Sequence, residues 1–328
     1  MYFKGINPIK ALLKDPFFSW NYYLKSGLRV AYIKFRKRKL RTKIYAGKLV
    51  KSNIVANEIL KNSILKGDPY MFGRYGTNEL NCVTEYLLSK KEIIKKIRID
   101  ELKMSCLQSG IFPLDEKTII KFSEIVLEST KEVDLFGTFR MILEDYYLKK
   151  HSSKKSVLTN LNMMNFWQYD EPFTYALKGK RVLVIHPFAE TIEAQYKKRQ
   201  LLFKNENYLP EFTLLTLKAV QTIAGNRDDR FDNWFEALEY MYNKAKNTDF
   251  DIALIGCGSY GFPLAAKLKK EGKIVITMGG VTQMLFGIKG NRWDVDPVAS
   301  SLYNDYWVRP DISDLPNNAG LVEGSCYW

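Results

Sequence analysis

Short apolar runs alternate with stretches of helical spacing over most of the chain. Runs at 70–73, 181–186, 213–217, 251–255 and 273–277 are four to six residues long and lie between charged residues, glycine or proline. Strands that are buried on both faces have this length and composition. The alternation predicts an α/β fold with a doubly wound, mostly parallel sheet, whose ligands are expected at the carboxyl ends of the strands.

Residues 90–180, between the first two of these runs, are predicted to be mostly helical. Helices are predicted there at 117–130, 138–150 and 156–167, with one short strand at 133–136, and another helix is predicted at 52–66, before the first run. After Gly280 the chain becomes rich in loops. Residues 281–328 are therefore expected to form an irregular tail, which either covers a site or presents an interaction surface.

A glycine-rich turn, Gly256-Cys-Gly-Ser-Tyr-Gly261, joins the strand at 251–255 to a predicted helix. Pro263 suits the first turn of that helix, and Gly272 is expected to follow its end. Such a turn presents backbone N–H groups and the positive end of a helix, where a phosphate or pyrophosphate binds. No acidic residue of the ribose-binding type ends the next strand, which argues against a dinucleotide. A tight turn that serves packing alone is the alternative.

A second strand, turn and helix contains Arg74-Tyr-Gly-Thr-Asn-Glu79. Arg74 is able to bind a phosphate with two hydrogen bonds, and the Glu79 carboxylate is able to face a sugar or a metal. Thr77 or Asn78 is the expected N-cap. The alternative is a capped helix in which Glu79 only interacts with the helix dipole.

A third pair of polar residues follows the strand at 181–186. His186 ends that strand, and Glu190 lies in the first turn of a helix predicted at 190–203. Both are candidates for proton transfer. The alternative for His186 is a buried histidine whose hydrogen bonds serve the fold.

The positive charge of the chain is concentrated at one end. The formal net charge is +14, and residues 1–51 carry 14 Lys or Arg with a single acid, Asp15. Aromatic residues accompany these cations, which predicts that residues 1–45 bind an anionic membrane surface. A solvated basic helix is the alternative. Nucleic acid is not expected, because the remaining residues are nearly neutral.

Four separated cysteines and two histidines argue against a zinc site, a disulfide framework or a histidine-rich metal site. No apolar run approaches the roughly 18 residues of a transmembrane helix, and no signal peptide is recognised. The expected location is the cytoplasm, at the inner face of the cell membrane.

Arg74-Tyr-Gly-Thr-Asn-Glu79 after a strand resembles the R-F-G-D-G-E motif of the GT-D class of glycosyltransferases. The glycine turn at 256–265 stands where that class has its second glycine turn. The region 170–328 is also similar to proteins encoded with bacterial capsule and exopolysaccharide genes. The matching pieces of that region are 182–188, 195–196, 219–221, 283–290, 292–293 and 326–328.

This resemblance implies one Rossmann-like domain over 52–328, preceded by a basic aromatic segment at 1–51. It implies sugar transfer from a UDP-sugar, or another nucleotide-diphosphate sugar, to a lipid-linked or growing cell-surface polysaccharide. Such a transfer needs a base to activate the acceptor, and Glu79, His186 and Glu190 are the candidate catalytic residues. The residues expected to bind the nucleotide sugar are Arg74, Gly76, Thr77, Asn78, Gly256, Gly258, Ser259, Tyr260, Gly279, Gly280, Gln283, Lys289 and Arg292.

The GT-D class holds a divalent metal with an Asp-x-Glu pair. Here Glu79 is the Glu, and Thr77 stands in place of the Asp. Because Mn²⁺ or Mg²⁺ would have one carboxylate instead of two, metal dependence stays open. Arg74, Lys289 and Arg292 are the cations expected to supply positive charge in its place.

Two other functions are kept as alternatives. One is a nucleotide-binding oxidoreductase or ligase on the same fold, against which the absent ribose carboxylate argues. The other is a non-catalytic scaffold of a polysaccharide assembly complex, which the incomplete Asp-x-Glu pair and the long tail favour.

Overall fold

The computed structural model describes residues 6, 8–25, 28 and 43–328, and within them nine strands form one sheet. The strand order is β1-β2-β5-β4-β3-β9-β8-β6-β7. The strands are β1 (Ile44–Tyr45), β2 (Lys48–Lys51), β3 (Tyr70–Gly73), β4 (Leu135–Thr138), β5 (Val157–Asn160), β6 (Arg181–His186), β7 (Thr213–Lys218), β8 (Ile252–Ile255) and β9 (Ile274–Thr277). Only β1 and β2 pair antiparallel, so the predicted mostly parallel α/β sheet is confirmed.

The two halves of the chain meet at the centre of the sheet. Strands β1, β2, β4 and β5 lie on one side of β3, and β6 to β9 lie on the other, so that β3 pairs directly with β9. A change of direction of this kind opens a crevice beyond the carboxyl ends of the adjacent strands. The turns that follow β3, β9 and β8 therefore all face this crevice.

Apolar residues alternate between the two faces of the sheet. In β3, Met71 packs on one face and Phe72 on the other, and Val184 and Ile185 do the same in β6. Each face carries a buried core, because side chains in a strand point alternately to opposite sides and helices cover both. The longer helices are Asn53–Lys66, Thr77–Lys90, Ile99–Ser109, Glu116–Ser129, Glu144–His151, Ala189–Tyr196, Trp234–Lys246 and Gly261–Lys270.

The predicted helix at 156–167 is wrong. Residues 157–160 form β5, which pairs with β2 and β4, and 3-10 turns follow at Leu161–Met164 and Phe166–Gln168. The pairing of β5 on both sides provides backbone hydrogen bonds that the local spacing of apolar residues does not reveal. The helix predicted at 138–150 begins only at Glu144.

The side chain of Glu144 holds the turn that comes before the helix Glu144–His151. The Glu144 carboxylate accepts hydrogen bonds from the backbone N–H groups of Phe139 (3.0 Å) and Arg140 (2.6 Å). Leu143 has a left-handed backbone with φ of 63°. These features turn the chain after β4 and delay the helix.

The basic segment is partly joined to the domain. Residues 44–51 form the antiparallel edge of the sheet, and the helices Pro8–Lys14 and Pro16–Ser19 pack on the body of the domain. The basic run at 34–41 lies outside the described residues. Among the residues that are described, no helix combines the length and the apolar character needed to cross a bilayer.

Short elements make up the tail after β9. They include the helices Val281–Leu285, Asn291–Asp294 and Pro297–Ser300 and the 3-10 turns Ile312–Asp314 and Ala319–Leu321. The end of the tail folds back over the carboxyl edge of the sheet.

Candidate functional site

A cavity of about 620 Å³ lies at the carboxyl ends of the strands. Its walls come from the segments that follow β3, β4, β5, β6, β7, β8 and β9, together with residues 322–328 of the tail. This volume is in the range of small-molecule sites. Most predicted site residues line it, namely Arg74, Gly76, Thr77, Asn78, Glu79, His186, Gly256, Gly258, Ser259, Tyr260, Gly279, Gly280, Gln283 and Arg292.

Arg74 and Gly279 connect the ends of β3 and β9. A Cβ atom on Gly279 would lie 2.5 Å from Nη2 of Arg74, and Gly279 has a φ of +59°. Both facts favour glycine here, because another residue would be strained at this φ and its Cβ would displace the Arg74 guanidinium. The guanidinium lies against Gly279 at the wall of the cavity.

Glu79 lies in the first turn of Thr77–Lys90, whose N-cap is Gly76. The predicted caps Thr77 and Asn78 are therefore wrong, since both are inside the helix. The Glu79 carboxylate folds back into the space beside the Gly76 Cα. Burial raises the pKa of this carboxyl, and the positive charge of Arg74 acts in the opposite direction.

The other two side chains of this turn make their own contacts. The Thr77 hydroxyl lies 3.0 Å from the sulfur of Met141. The Asn78 amide donates to Oε1 of Gln108 (3.2 Å), whose own amide donates to the backbone oxygen of Leu321 (3.1 Å). Asn78 thus reaches the tail through Gln108.

His186 is 3% exposed and lines the cavity from the end of β6. Its Nδ1 accepts a hydrogen bond from the backbone N–H of Phe188 at 3.1 Å. Burial lowers the pKa of His186 to about 3, so the ring is neutral near pH 7. With Nδ1 acting as acceptor, the proton resides on Nε2, and the ring offers a donor.

In the glycine turn after β8, the backbone at Gly258 has free space beside it, whereas the side chains of the turn contact the rest of the fold. A Cβ atom on Gly256 would lie 2.6 Å from the His186 ring, whereas one on Gly258 would meet nothing within 4 Å. The Ser259 hydroxyl donates to the Ser109 backbone oxygen (2.6 Å) and accepts from the Trp234 indole (3.0 Å). Its hydrogen-bonding capacity is used within the fold.

Tyr260 also serves the fold. Its ring stacks on Trp234 with centroids 4.9 Å apart, and its hydroxyl lies 2.8 Å from the Thr222 hydroxyl. The turn therefore offers a ligand its backbone rather than the side chains of Ser259 and Tyr260.

Gln283 and Arg292 connect the cavity to the tail. The Gln283 amide donates to the backbone oxygens of Lys289 (3.1 Å) and Tyr327 (3.0 Å), and its Oε1 is buried without a partner among the described residues. Arg292 forms a salt bridge with Glu323 and lies 4.8 Å from the centre of the Tyr327 ring. The tail is thus positioned over the cavity.

Two predicted residues do not line the cavity. The Glu190 side chain is 65% exposed and pairs with Lys218 at 3.0 Å. Burial raises the pKa of Glu190, but the Lys218 hydrogen bond, a backbone hydrogen bond and the Lys218 charge together outweigh it, and the pKa is lowered overall. The Lys289 ammonium lies 5.4 Å from the Tyr303 ring.

The cavity offers a divalent metal few protein ligands. Within the described residues, no three His, Cys, Asp or Glu side chains are grouped closely enough to hold an ion. Glu79 contributes one carboxylate, Thr77 offers a hydroxyl where the Asp-x-Glu pair has its Asp, and Glu323 is paired with Arg292. Mg²⁺ is usually bound by one or two carboxylates together with substrate phosphates and water, and no chemical step is assigned to a metal here.

Several cavity residues were not predicted. Glu323, Tyr327 and Trp328 belong to the irregular tail, whose position depends on distant contacts. Asn162 and Asn165 follow β5. The spacing of apolar residues predicted a helix over this whole region, so neither asparagine was expected at the end of a strand. The polar start of the stretch 108–113 was the sequence feature that pointed to Gln108 and Ser109 as site residues.

Comparison with known proteins finds similar solved structures. Two solved structures, each of domain of unknown function 1792, are similar to this chain. One, described as a selenomethionine-substituted structure, has 12% identity and a TM-score of 0.42, covering 72% of this chain and 79% of that one. The other, described as having a distinct glycosyltransferase fold, has 11% identity and a TM-score of 0.39, covering 71% and 79%.

A search of curated proteins found no match. A family model does match, over residues 52–285, which is more than half of the chain. Its description is a GT-D fold-like domain. The sequence resemblance to the GT-D class is therefore confirmed, and this chain belongs to the GT-D-like family.

Proposed function

We propose that this protein is a glycosyltransferase that takes its sugar from a nucleotide-diphosphate sugar, with a UDP-sugar as the expected donor. The observation that carries the proposal is one cavity containing two arginines, two glycine turns and a carboxylate of raised pKa. GT-D-like family membership supports glycosyl transfer in general.

The diphosphate is assigned to the centre of the cavity. Arg74 and Arg292 line it, and arginine binds phosphate oxygens with two charge-assisted hydrogen bonds. The helix Gly261–Lys270 begins directly after the turn at 256–260, so its unpaired N–H groups add to the positive potential. These groups stabilise the negative charge that develops as the diphosphate leaves.

Glu79 is the proposed base. In the reaction the bond between the sugar carbon and the diphosphate oxygen breaks, a new bond to an acceptor hydroxyl forms, and the hydroxyl proton must be removed. A carboxylate whose pKa is raised by burial accepts this proton more readily than an ordinary one. The neutral His186 ring is assigned a different task, donating a hydrogen bond from Nε2 to a substrate oxygen.

The proposed acceptor is a cell-surface polysaccharide intermediate. Its support is the resemblance of 170–328 to proteins encoded with capsule and exopolysaccharide genes. Loss of polysaccharide in cells carrying Glu79→Gln would support this acceptor, and unchanged output would favour the scaffold alternative.

Isothermal titration of the full chain with UDP and UDP-sugars tests donor binding. Binding is expected without added metal, with at least about tenfold weaker affinity for Arg74→Ala and for Arg292→Ala. Arg309→Ala is the matched control, because Arg309 pairs with Asp294 and does not line the cavity. Absence of binding by every nucleotide diphosphate would overturn the proposal.

Release of UDP from a UDP-sugar tests the base. Glu79→Gln is expected to retain UDP binding while losing at least about 100-fold in turnover, which is the usual contribution of a general base. Unchanged turnover would remove Glu79 from this role.

A further inference from the structure

The N-terminal helices Pro8–Lys14 and Pro16–Ser19 are apolar on two opposite faces. One face packs on the domain through Ala11, Phe18 and Tyr22, which are at most 1% exposed. The Phe18 and Tyr146 rings meet edge to face with centroids 5.2 Å apart, and Asp15 forms a salt bridge with Lys91. This contact orients the opposite face outward.

The outward face consists of large apolar residues. Leu12 is 51% exposed, Leu13 81%, Phe17 43% and Trp20 55%. These four residues form the exposed stripe of this segment, whereas Ala11, Phe18 and Tyr22 are buried against the domain. A helix on the surface of a globular protein normally keeps its outer face polar. Several large apolar side chains exposed within nine residues therefore indicate a binding site for another apolar surface.

Two lysines lie beside this stripe, and a basic run follows it in the sequence. The ammonium groups of Lys149 and Lys150 lie 5.2 and 5.9 Å from the centre of the Phe17 ring. The sequence from 29 to 42, outside the described residues, has seven Lys or Arg and no acid, and it is joined directly to Leu28. Leu28 is itself 69% exposed.

We propose that Leu12, Leu13, Phe17 and Trp20 form a membrane-docking face that inserts into the interface of an anionic bilayer. Apolar side chains with neighbouring cations bind such surfaces through burial in the acyl boundary and attraction to the headgroups. A second copy of this chain is disfavoured as the occupant, because dimerisation through this face would bring the Lys149 and Lys150 ammonium groups of two copies together. The inference is independent of the sugar donor.

Co-sedimentation with vesicles tests the proposal. The full chain is expected to bind vesicles of phosphatidylcholine and phosphatidylglycerol in equal parts, and to bind pure phosphatidylcholine far less. The double variant Leu12→Ser and Leu13→Ser is expected to lose at least about tenfold in partitioning to the mixed vesicles. Lys149→Gln with Lys150→Gln is expected to lose binding chiefly at low salt.

Val295→Ser with Val298→Ser is the matched control. These residues are 83% and 60% exposed, and they lie in the tail region far along the chain from the N-terminal helices. This variant should bind like the unchanged chain. Circular dichroism of each variant verifies that the domain is folded.

Three results would overturn the proposal. The first is mixed-vesicle binding that the Leu12 and Leu13 substitutions leave unchanged in a folded protein. The second is equal binding to neutral and anionic vesicles. The third is absence of vesicle binding together with a dimer, measured by sedimentation equilibrium, that the same substitutions dissociate.

Discussion

The Arg74 guanidinium packs against Gly279 across the neighbouring strands β3 and β9. A side chain at 279 would meet Nη2 at 2.5 Å. The two residues lie about 200 positions apart in the chain, yet the tip of the Arg74 side chain lies against the backbone of Gly279. This contact places the guanidinium that is proposed to bind phosphate.

Gly279→Ala is expected to displace Arg74 and to weaken UDP binding at least about tenfold. It should also destabilise the fold by about 1–2 kcal/mol, because the φ of +59° is unfavourable for alanine. Titration calorimetry and thermal unfolding measure the two effects. Gly272→Ala is the control, since Gly272 has a φ of +83° but no neighbour within 4 Å. It should lose stability and keep UDP affinity; equal losses of affinity in both variants would contradict the role of Arg74.

Glu323→Gln is expected to strengthen UDP binding by about two- to tenfold at low salt. The carboxylate pairs with Arg292 at the mouth of the cavity, so it competes with a phosphate for the same guanidinium. The gain should shrink as salt is added. Asp294→Asn is the control, because Asp294 pairs with Arg309 outside the cavity. Weaker binding in Glu323→Gln would show that the carboxylate supports the ligand rather than competing with it.

Thr77→Asp is expected to make UDP binding respond to Mn²⁺. The substitution places a second carboxylate two residues before Glu79, which completes the Asp-x-Glu pair and the hard oxygen ligands that the cation needs. The unchanged chain and Thr77→Asn should bind UDP equally well with Mn²⁺ or with EDTA. Titrations under both conditions measure this difference. A strong Mn²⁺ requirement in the unchanged chain would contradict the assignment of charge to Arg74 and Arg292.

His186→Asn is expected to reduce the loss of stability in acid. Burial lowers the pKa of His186 to about 3, whereas the unfolded chain takes up this proton near pH 6.5. The unfolded state thus binds more protons between these values, and stability falls as the pH falls, by up to about 1.4 kcal/mol per pH unit for this residue.

Urea unfolding at several pH values measures this slope. Asparagine retains an acceptor near the Phe188 N–H and carries no titrating group. His151→Asn is the comparison, since its pKa is also lowered by burial but it lies outside the cavity. An identical pH slope for His186→Asn and the unchanged chain would show that His186 titrates normally.

Six of the nine described strands were predictable, because most of these six are buried along nearly their whole length. Runs such as Ile252–Ile255 are apolar at every position, and such runs signal strands without reference to the rest of the chain. Strand β5 was missed because its residues are equally compatible with helical spacing, and only its pairing with β2 and β4 identifies it.

The sequence by itself determined six of the nine described strands, the two glycine turns and the candidates Arg74 and Glu79, because these depend on local composition and on the positions of glycine. Tertiary structure alone decided which candidates share a cavity. It brought Glu323 and Tyr327 to Arg292, directed Glu190 to solvent, and turned Leu12 and Leu13 outward. Contacts between residues far apart in the chain control these outcomes, and spacing along the sequence does not record them.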